Sequence, residues 1–182
     1  MHDEVVLLTS DGAPVGTAPR ATVHGSRTPL HLAFSCHVQD ERGRLLMTRR
    51  ALGKRSWPGV WTNAFCGHPR PGEAPQDAVA RRARDELGAE VADLRPWLPD
   101  FRYEAVDAHG VHENEVCPVW GARLAGTLDP DPDEVADLRW VEPEDLVRSL
   151  RSTPWVFSPW LVLQAEQLVA AGRWDAAETR TA

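Results

Sequence analysis

A chain of 182 residues, 42% of them apolar, is long enough to bury one full core and too short for two comfortable ones, so a single domain spanning 1–182 is expected. Its formal net charge of -7 argues against general binding of nucleic acid or of anionic membranes, and any basic site has to be local. Three cysteines, Cys36, Cys66 and Cys117, odd in number and without Cys-x-x-Cys spacing, read as free thiols, and with no signal-peptide stretch or long apolar run a soluble, cytoplasmic protein is expected.

The chain opens on a small hairpin. Residues 5–8 and 15–17 flank Ser10-Asp11-Gly12, an Asp-Gly turn, and the hairpin reads as an addition to the edge of the main sheet. Residues 20–28 are polar, hold His24 and read as a surface loop. From 30 to 38, Leu30, Leu32, Phe34, Cys36 and Val38 alternate with His31, Ala33, Ser35 and His37. That is the period of a half-buried strand, with His31 turned away from the apolar face. Glu41-Arg42-Gly43 turns the chain into a second strand, 45–50, whose end begins a basic cluster of Arg49, Arg50, Lys54 and Arg55. A solvated strand end and an anion site both account for such a cluster.

Trp57-Pro58-Gly59-Val60-Trp61 is a rigid aromatic loop. If 62–68 is extended, Cys66 and His68 look into the same cavity, because strand side chains repeat every two residues. A helix from about 74 to 87 follows, with Pro75 in its first turn and Gly88 just past its end. Val79, Ala83 and Leu87 form its apolar stripe. Arg82 and Glu86 lie one turn apart, where they can address one anion-metal unit.

A strand over 100–105 turns at Ala108-His109-Gly110 into a partner over 111–120, which sets Glu113 and Glu115 on the row of Val111, Cys117 and Val119. Two carboxylates on a buried row are costly unless a cation compensates, and that is the physical case for a metal. An exposed edge strand with harmless acids is the alternative. Residues 129–134 form an acidic solvated loop before a strand over 136–141, and Pro143 opens a helix to about 150. Ser158 and Pro159 open the last helix, stopped by Gly172, with Trp160, Leu163, Gln167 and Ala170 on one side. Trp155, Phe157 and Trp160 read as core aromatics, and the tail after Trp174 is expected to fray.

The segment from Gly67 carries the strongest motif. Gly67, Glu73, Arg81 and Asp85-Glu86-Leu87-Gly88 follow the spacing of a Nudix box, in which acidic side chains one helical turn apart converge on a metal that grips a diphosphate. Arg82 stands where a Nudix hydrolase carries Glu, and Asp85-Glu86 stands where it carries Glu-Glu. Exchanging an anionic ligand for a cation favours phosphate over metal and weakens the hydrolytic reading.

His31-Leu32-Ala33-Phe34-Ser35, Trp57-Pro58-Gly59-Val60-Trp61-Thr62-Asn63, Cys66-Gly67-His68-Pro69, Tyr103, Glu113-Asn114-Glu115-Val116-Cys117-Pro118 and Ser158-Pro159-Trp160 together resemble the type I, Nudix-fold isopentenyl-diphosphate delta-isomerase family. The resemblance implies an α+β Nudix fold, a mixed β-sheet sandwiched between α-helices, with its core at about 30–165 and the hairpin added at the N-terminus. It implies interconversion of isopentenyl and dimethylallyl diphosphate, with Cys66 and Glu115 as acid-base pair, Tyr103 passing a proton near Glu115 and Trp160 facing a carbocation. By the same resemblance His24, His31, His68, Glu113 and Glu115 hold manganese, magnesium or zinc. Glu86 holds a magnesium arriving with the diphosphate, and Arg20, Arg50, Lys54 and Arg82 take the phosphate oxygens. The strand faces support His68 and the two glutamates, whereas His24 and His31 come from the resemblance alone, and the family usually has Lys where Arg20 stands. The expected partner is a small isoprenoid diphosphate, with no nucleic acid or membrane, and the chain is expected as a monomer or weak homodimer. A Nudix hydrolase and a non-catalytic diphosphate-binding module are the competing readings.

Overall fold

The computed structural model describes residues 3–174. The first hairpin forms around its Asp-Gly turn: β1 (Glu4–Leu8) and β2 (Pro14–Pro19) pair antiparallel. A one-turn helix α1 (Arg20–Val23) leads to β3 (His31–Leu32), β4 (Phe34–Gln39), β5 (Leu45–Arg50) and the short β6 (Trp61–Thr62) and β7 (Phe65–Gly67). After α2 (Pro75–Leu87) come β8 (Glu90–Leu98), β9 (Arg102–Val106), β10 (His112–Val116), β11 (Val119–Ala125) and β12 (Val135–Val141). Helix α3 (Pro143–Ser152), a 3-10 turn (Pro154–Val156) and α4 (Pro159–Ala170) follow.

The α+β class and the helix-flanked mixed sheet stand, with the strands divided between two sheets. One has the order β2-β1-β3-β10-β9, and the other the order β12-β5-β4-β11-β8 with β6 on β5 and β7 on β4. The division falls where two neighbouring parallel strands bend together. β3 lies parallel to β10, and β4 parallel to β11. Across the bend the Ala33 amide donates to the Val116 carbonyl at 2.9 Å and the Ser35 amide to the Pro118 carbonyl at 3.1 Å. Pro118 has no N–H to continue the ladder. The expected continuous strand over 111–120 is therefore two strands in different sheets.

The second sheet is covered on both faces, which explains why its central strands are apolar on both sides. Leu45 and Met47 pack with Leu146, Leu161 and Leu168 of α3 and α4. Phe34, Cys36, Val38 and Leu46 pack with Val79, Ala83 and Leu87 of α2. Ser35 and His37 are accordingly buried, and His31, in β3 of the first sheet beside Glu115 of β10, is buried as well, so His31 does not face water.

Three further expectations are corrected, and one strand is added. Residues 20–28 are a surface segment only in part: Arg20–Val23 form α1, which buries Val23, Thr28 is buried, and the Gly25 carbonyl accepts the His112 amide at 2.7 Å. The buried side of α4 is Trp160, Leu161, Gln164, Ala165 and Leu168, while Leu163 is 49% exposed. Of the three entrance aromatics only Trp160 is buried, and Trp155 is 75% exposed. β8 had no counterpart in the sequence reading, since its polar, Pro96-containing run pairs on one side only, at the edge of the sheet. The expectation for the tail after Trp174 lies outside the described residues. Among those residues no helix is long and apolar enough to cross a membrane.

Candidate active site

The site forms where β3 and β10 hand over to β4 and β11. Strand register sets Glu115 beside His31 on one side and beside Tyr103 on the other, and β7 lies against β4 with Cys66 opposite Ser35. Gly67 permits this approach. A Cβ there would lie 2.7 Å from Arg82 Cγ and 2.9 Å from Phe34 Cζ, well inside ordinary carbon contact.

Helix α2 keeps its anticipated ends, with Pro75 in the first turn and Gly88 in the left-handed conformation after Leu87. The loop before it is fastened by a bidentate clasp: Arg81 Nε and Nη2 each donate to a Glu73 oxygen at 2.8 Å, and Nη2 also reaches the His68 carbonyl at 3.2 Å. Glu73 and Arg81 of the box are thus structural. One turn on, Arg82 pairs with Glu86 as the helical spacing allows.

A cavity of about 510 Å³ opens here, and every anticipated site residue except the fully buried His31 borders it. Cys66, Tyr103, Glu113, Glu115 and Trp160 therefore face one space, with Arg20, Arg50, Lys54 and Arg82 around it. Three of these cations hold acids: Arg20 pairs with Asp3, and Lys54 and Arg82 share Glu134. Arg50 instead ties the aromatic loop, donating from Nη2 to the Ser56 carbonyl at 2.8 Å and from Nε to that of Trp57 at 3.1 Å. Its guanidinium carbon lies 5.5 Å from the centre of the Trp160 ring, a cation-π arrangement.

His24, His31, His68 and Glu115 each offer a ligand atom, all within 4.8 Å of one another. The His31 and His68 Nε2 atoms lie 3.3 and 3.2 Å from Glu115 Oε1. His31 Nδ1 donates to the Pro29 carbonyl at 2.9 Å, which points the Nε2 lone pair at the cluster, as outer-shell partners of metal-bound imidazoles do. His24 Nδ1 is buried without a hydrogen-bond partner among the described residues. These observations fit a divalent cation. Glu113 is not brought into this group: its oxygens accept the Ser56 hydroxyl and the Tyr103 hydroxyl, each at 2.6 Å. Glu86 lies apart from the group too, on the cavity wall beside Arg82.

A family model described as the NUDIX domain matches residues 29–161. Isopentenyl-diphosphate Delta-isomerase of Agromyces mediolanus is 59% identical over 177 residues, covering 97% of this chain and 86% of that protein. The enzyme of the same name from Leifsonia xyli subsp. xyli is 60% identical, covering 93% of each. The chain belongs to the isopentenyl-diphosphate Delta-isomerase family of Nudix proteins. Solved structures carry the fold further afield: DR0079 of Deinococcus radiodurans superposes with a TM-score of 0.70 at 19% identity over 90% of this chain and 98% of that one. A MutT protein from Methanosarcina mazei Go1 superposes at 0.62 with 17% identity, over 80% and 96%. At such identities these two speak for the fold alone.

In this isomerase-family cavity the protonation states differ from wall to wall. Burial pushes the Cys66 thiol up to about 11, against the pull of hydrogen bonds from Ser35 and Asn63, so it holds its proton at neutral pH. Burial would also raise Glu115, but His31 and His68 outweigh it and hold that carboxyl well below the carboxylate range. Burial and the neighbouring Glu115 charge raise Glu113. Burial raises Tyr103 far above an ordinary phenol, so it remains a donor to Glu113. Burial brings His24 down to about 4, leaving it neutral.

Sequence reasoning missed the polar residues behind these walls. Asn63 is fully buried and accepts the Trp160 Nε1 proton at 3.0 Å, and Ser35 and Gln164 are fully buried behind Cys66. The available signal was a polar residue within each apolar run: Ser35 between Phe34 and Cys36, and Gln164 between Leu163 and Ala165.

Proposed function

We propose that this chain interconverts isopentenyl and dimethylallyl diphosphate by adding a proton at one end of the alkene and removing one from the other, in keeping with the name its relatives carry. The observation that supports the reading most is that the Cys66 thiol and the Glu115 carboxylate border one cavity, where burial favours the protonated thiol and the neighbouring histidines the ionised carboxylate. The alkene π electrons take the proton from the Cys66 sulfur, forming a C–H bond and leaving a thiolate and a tertiary cation. Glu115 then accepts a proton from the neighbouring carbon, whose C–H electrons become the new double bond. Proton exchange with solvent resets the pair.

Such acid-base help is worth roughly 10²- to 10⁴-fold, and the cation needs more. The Trp160 ring contributes about 2 kcal/mol to a cation when water is excluded, and excluding water also prevents capture of that cation as an alcohol. Tyr103 and Ser56 hold Glu113 and so place a hydrogen-bonded proton beside Glu115. His24, His31, His68 and Glu115 hold manganese, magnesium or zinc, a set of nitrogen and oxygen donors suited to a borderline ion. When bound, that ion supplies positive charge that fixes the Glu115 carboxylate. Arg20, Lys54 and Arg82 receive the diphosphate, with Glu86 holding the magnesium that accompanies it, and Arg50 backs the Trp160 ring. A reducing cytoplasm suits a mechanism resting on a thiol, and all three cysteines are free.

Incubation with isopentenyl diphosphate and magnesium in deuterium oxide tests the reading. Deuterium in a methyl group of an allylic product supports it. Release of phosphate, as from a hydrolase, or unchanged substrate overturns it.

A further inference from the structure

The Cys66 thiol is backed by a buried polar chain that the chemistry above does not use. Ser35 Oγ lies 3.4 Å from Cys66 Sγ and 3.4 Å from Cys117 Sγ, and it accepts a hydrogen bond from Gln164 Nε2 at 2.9 Å. Gln164 is oriented in turn by His37, whose Nε2 lies 3.0 Å from Gln164 Oε1. An amide oxygen has no proton to give, so His37 carries its proton on Nε2 and the Gln164 amide group faces Ser35. With one lone pair of Ser35 filled by Gln164, its single proton is left for a sulfur.

The other polar neighbour of Cys66 is Asn63, whose Nδ2 lies 3.4 Å and whose Oδ1 lies 3.6 Å from the sulfur. Asn63 Nδ2 donates to the Cys36 carbonyl at 3.0 Å and the Phe65 carbonyl at 2.7 Å. Its Oδ1 accepts from Trp160 Nε1 at 3.0 Å and from Thr62 Oγ1 at 2.9 Å. Both amide hydrogens and both carbonyl lone pairs are thus engaged by closer partners, so the longer contact of Nδ2 with the sulfur shares a hydrogen that a backbone carbonyl already holds. Cys117 keeps its own S–H, which can enter the second lone pair of Ser35. Ser35 is then the neighbour whose donor hydrogen is free to turn toward Cys66, whereas the Asn63 hydrogens are shared with backbone carbonyls.

We propose that Ser35 is a positioning residue for the Cys66 sulfur, its hydroxyl donating to that sulfur as the thiol proton passes to the alkene, with Gln164 holding the hydroxyl in that orientation. The inference rests on the isomerase reading of the same cavity. In the step, the S–H bond breaks with its electron pair kept on sulfur, the π electrons form the C–H bond, and Ser35 gives up no proton. A hydrogen bond that strengthens as its acceptor becomes charged acts on the barrier more than on substrate binding.

Steady-state isomerisation of isopentenyl diphosphate with magnesium, measured for wild type, Ser35→Ala, Gln164→Met, the double variant and Cys66→Ala, tests this. Ser35→Ala is expected to lower kcat about 10- to 100-fold while KM stays within about twofold. Gln164→Met is expected to lower kcat less, and to add nothing once Ser35 is gone, because it acts through Ser35. A Ser35→Ala enzyme with kcat near wild type, losses in kcat and KM together, or effects of the two variants that multiply would each overturn the proposal. If wild type turns over and Cys66→Ala does not while Ser35→Ala keeps its rate, this proposal falls and the isomerase reading survives. A wild-type protein that leaves isopentenyl diphosphate unchanged removes both.

Discussion

His37 sits wholly inside the fold, stacked 5.9 Å from Trp97 and edge-on to Trp174 at 5.3 Å. Burial lowers it from 6.5 to about 4, so the unfolded chain takes up this proton before the folded one does. Its burial is therefore harmless above the unfolded value and erodes stability as pH falls from about 6.5 toward 4, by roughly 3 kcal/mol in all. Urea unfolding of wild type and His37→Phe at pH 7, 6 and 5 should show a wild-type excess of stability loss toward acid; parallel pH slopes would contradict the assignment. Single residues were unevenly legible in the sequence. Cys66 and His68 were placed on one cavity by strand period alone, a local rule. His31 was turned away from the apolar face because alternation in one strand does not reveal that His24, His68 and Glu115 gather over that side. Glu113 was grouped with Glu115 by the same period. Its capture by Ser56 and Tyr103 depends on a loop 57 positions away in sequence.

At the scale of elements, β7 and α2 meet through Gly67, and the approach leaves no room for a methyl group. Gly67→Ala should lower unfolding free energy by about 1–3 kcal/mol through overpacking against Arg82 and Phe34, read from the denaturant midpoint; an unchanged midpoint would show that the neighbours yield freely. The ends of α2 were legible because Pro75 and Gly88 act within a turn. The buried face of α4 was not, since Leu161, Val162, Leu163 and Leu168 run around the helix and periodicity cannot choose among them. Its orientation is settled by Gln164, which reaches Ser35 and His37, partners that only tertiary structure supplies. The bend at Pro118 was likewise hidden, because a proline marks an interrupted ladder without saying which sheet the chain joins next.

The whole molecule is anionic overall yet carries Arg20, Arg50, Lys54 and Arg82 on one cavity, so its field admits an anion locally while the rest of the surface repels polyanions. The sequence showed this imbalance, but not that Asp3 and Glu134 hold three of the four cations. Three histidines and Glu115, drawn from separate segments, come together only in the folded chain, so on the proposed reading a cation binds the folded state alone. Added manganese or zinc should raise the melting temperature in a concentration-dependent way, chelation should reverse the rise, and His68→Ala should abolish it; a response unaltered in His68→Ala would remove the metal from this site. The account as a whole depends on a thiol and a carboxylate acting on one substrate from one cavity. The measurement that tests it most directly is the isomerisation rate of Cys66→Ala and Glu115→Gln with their folding checked by melting. Each should fall at least about 10²-fold with the melting transition retained, and near wild-type turnover in either folded variant would contradict it.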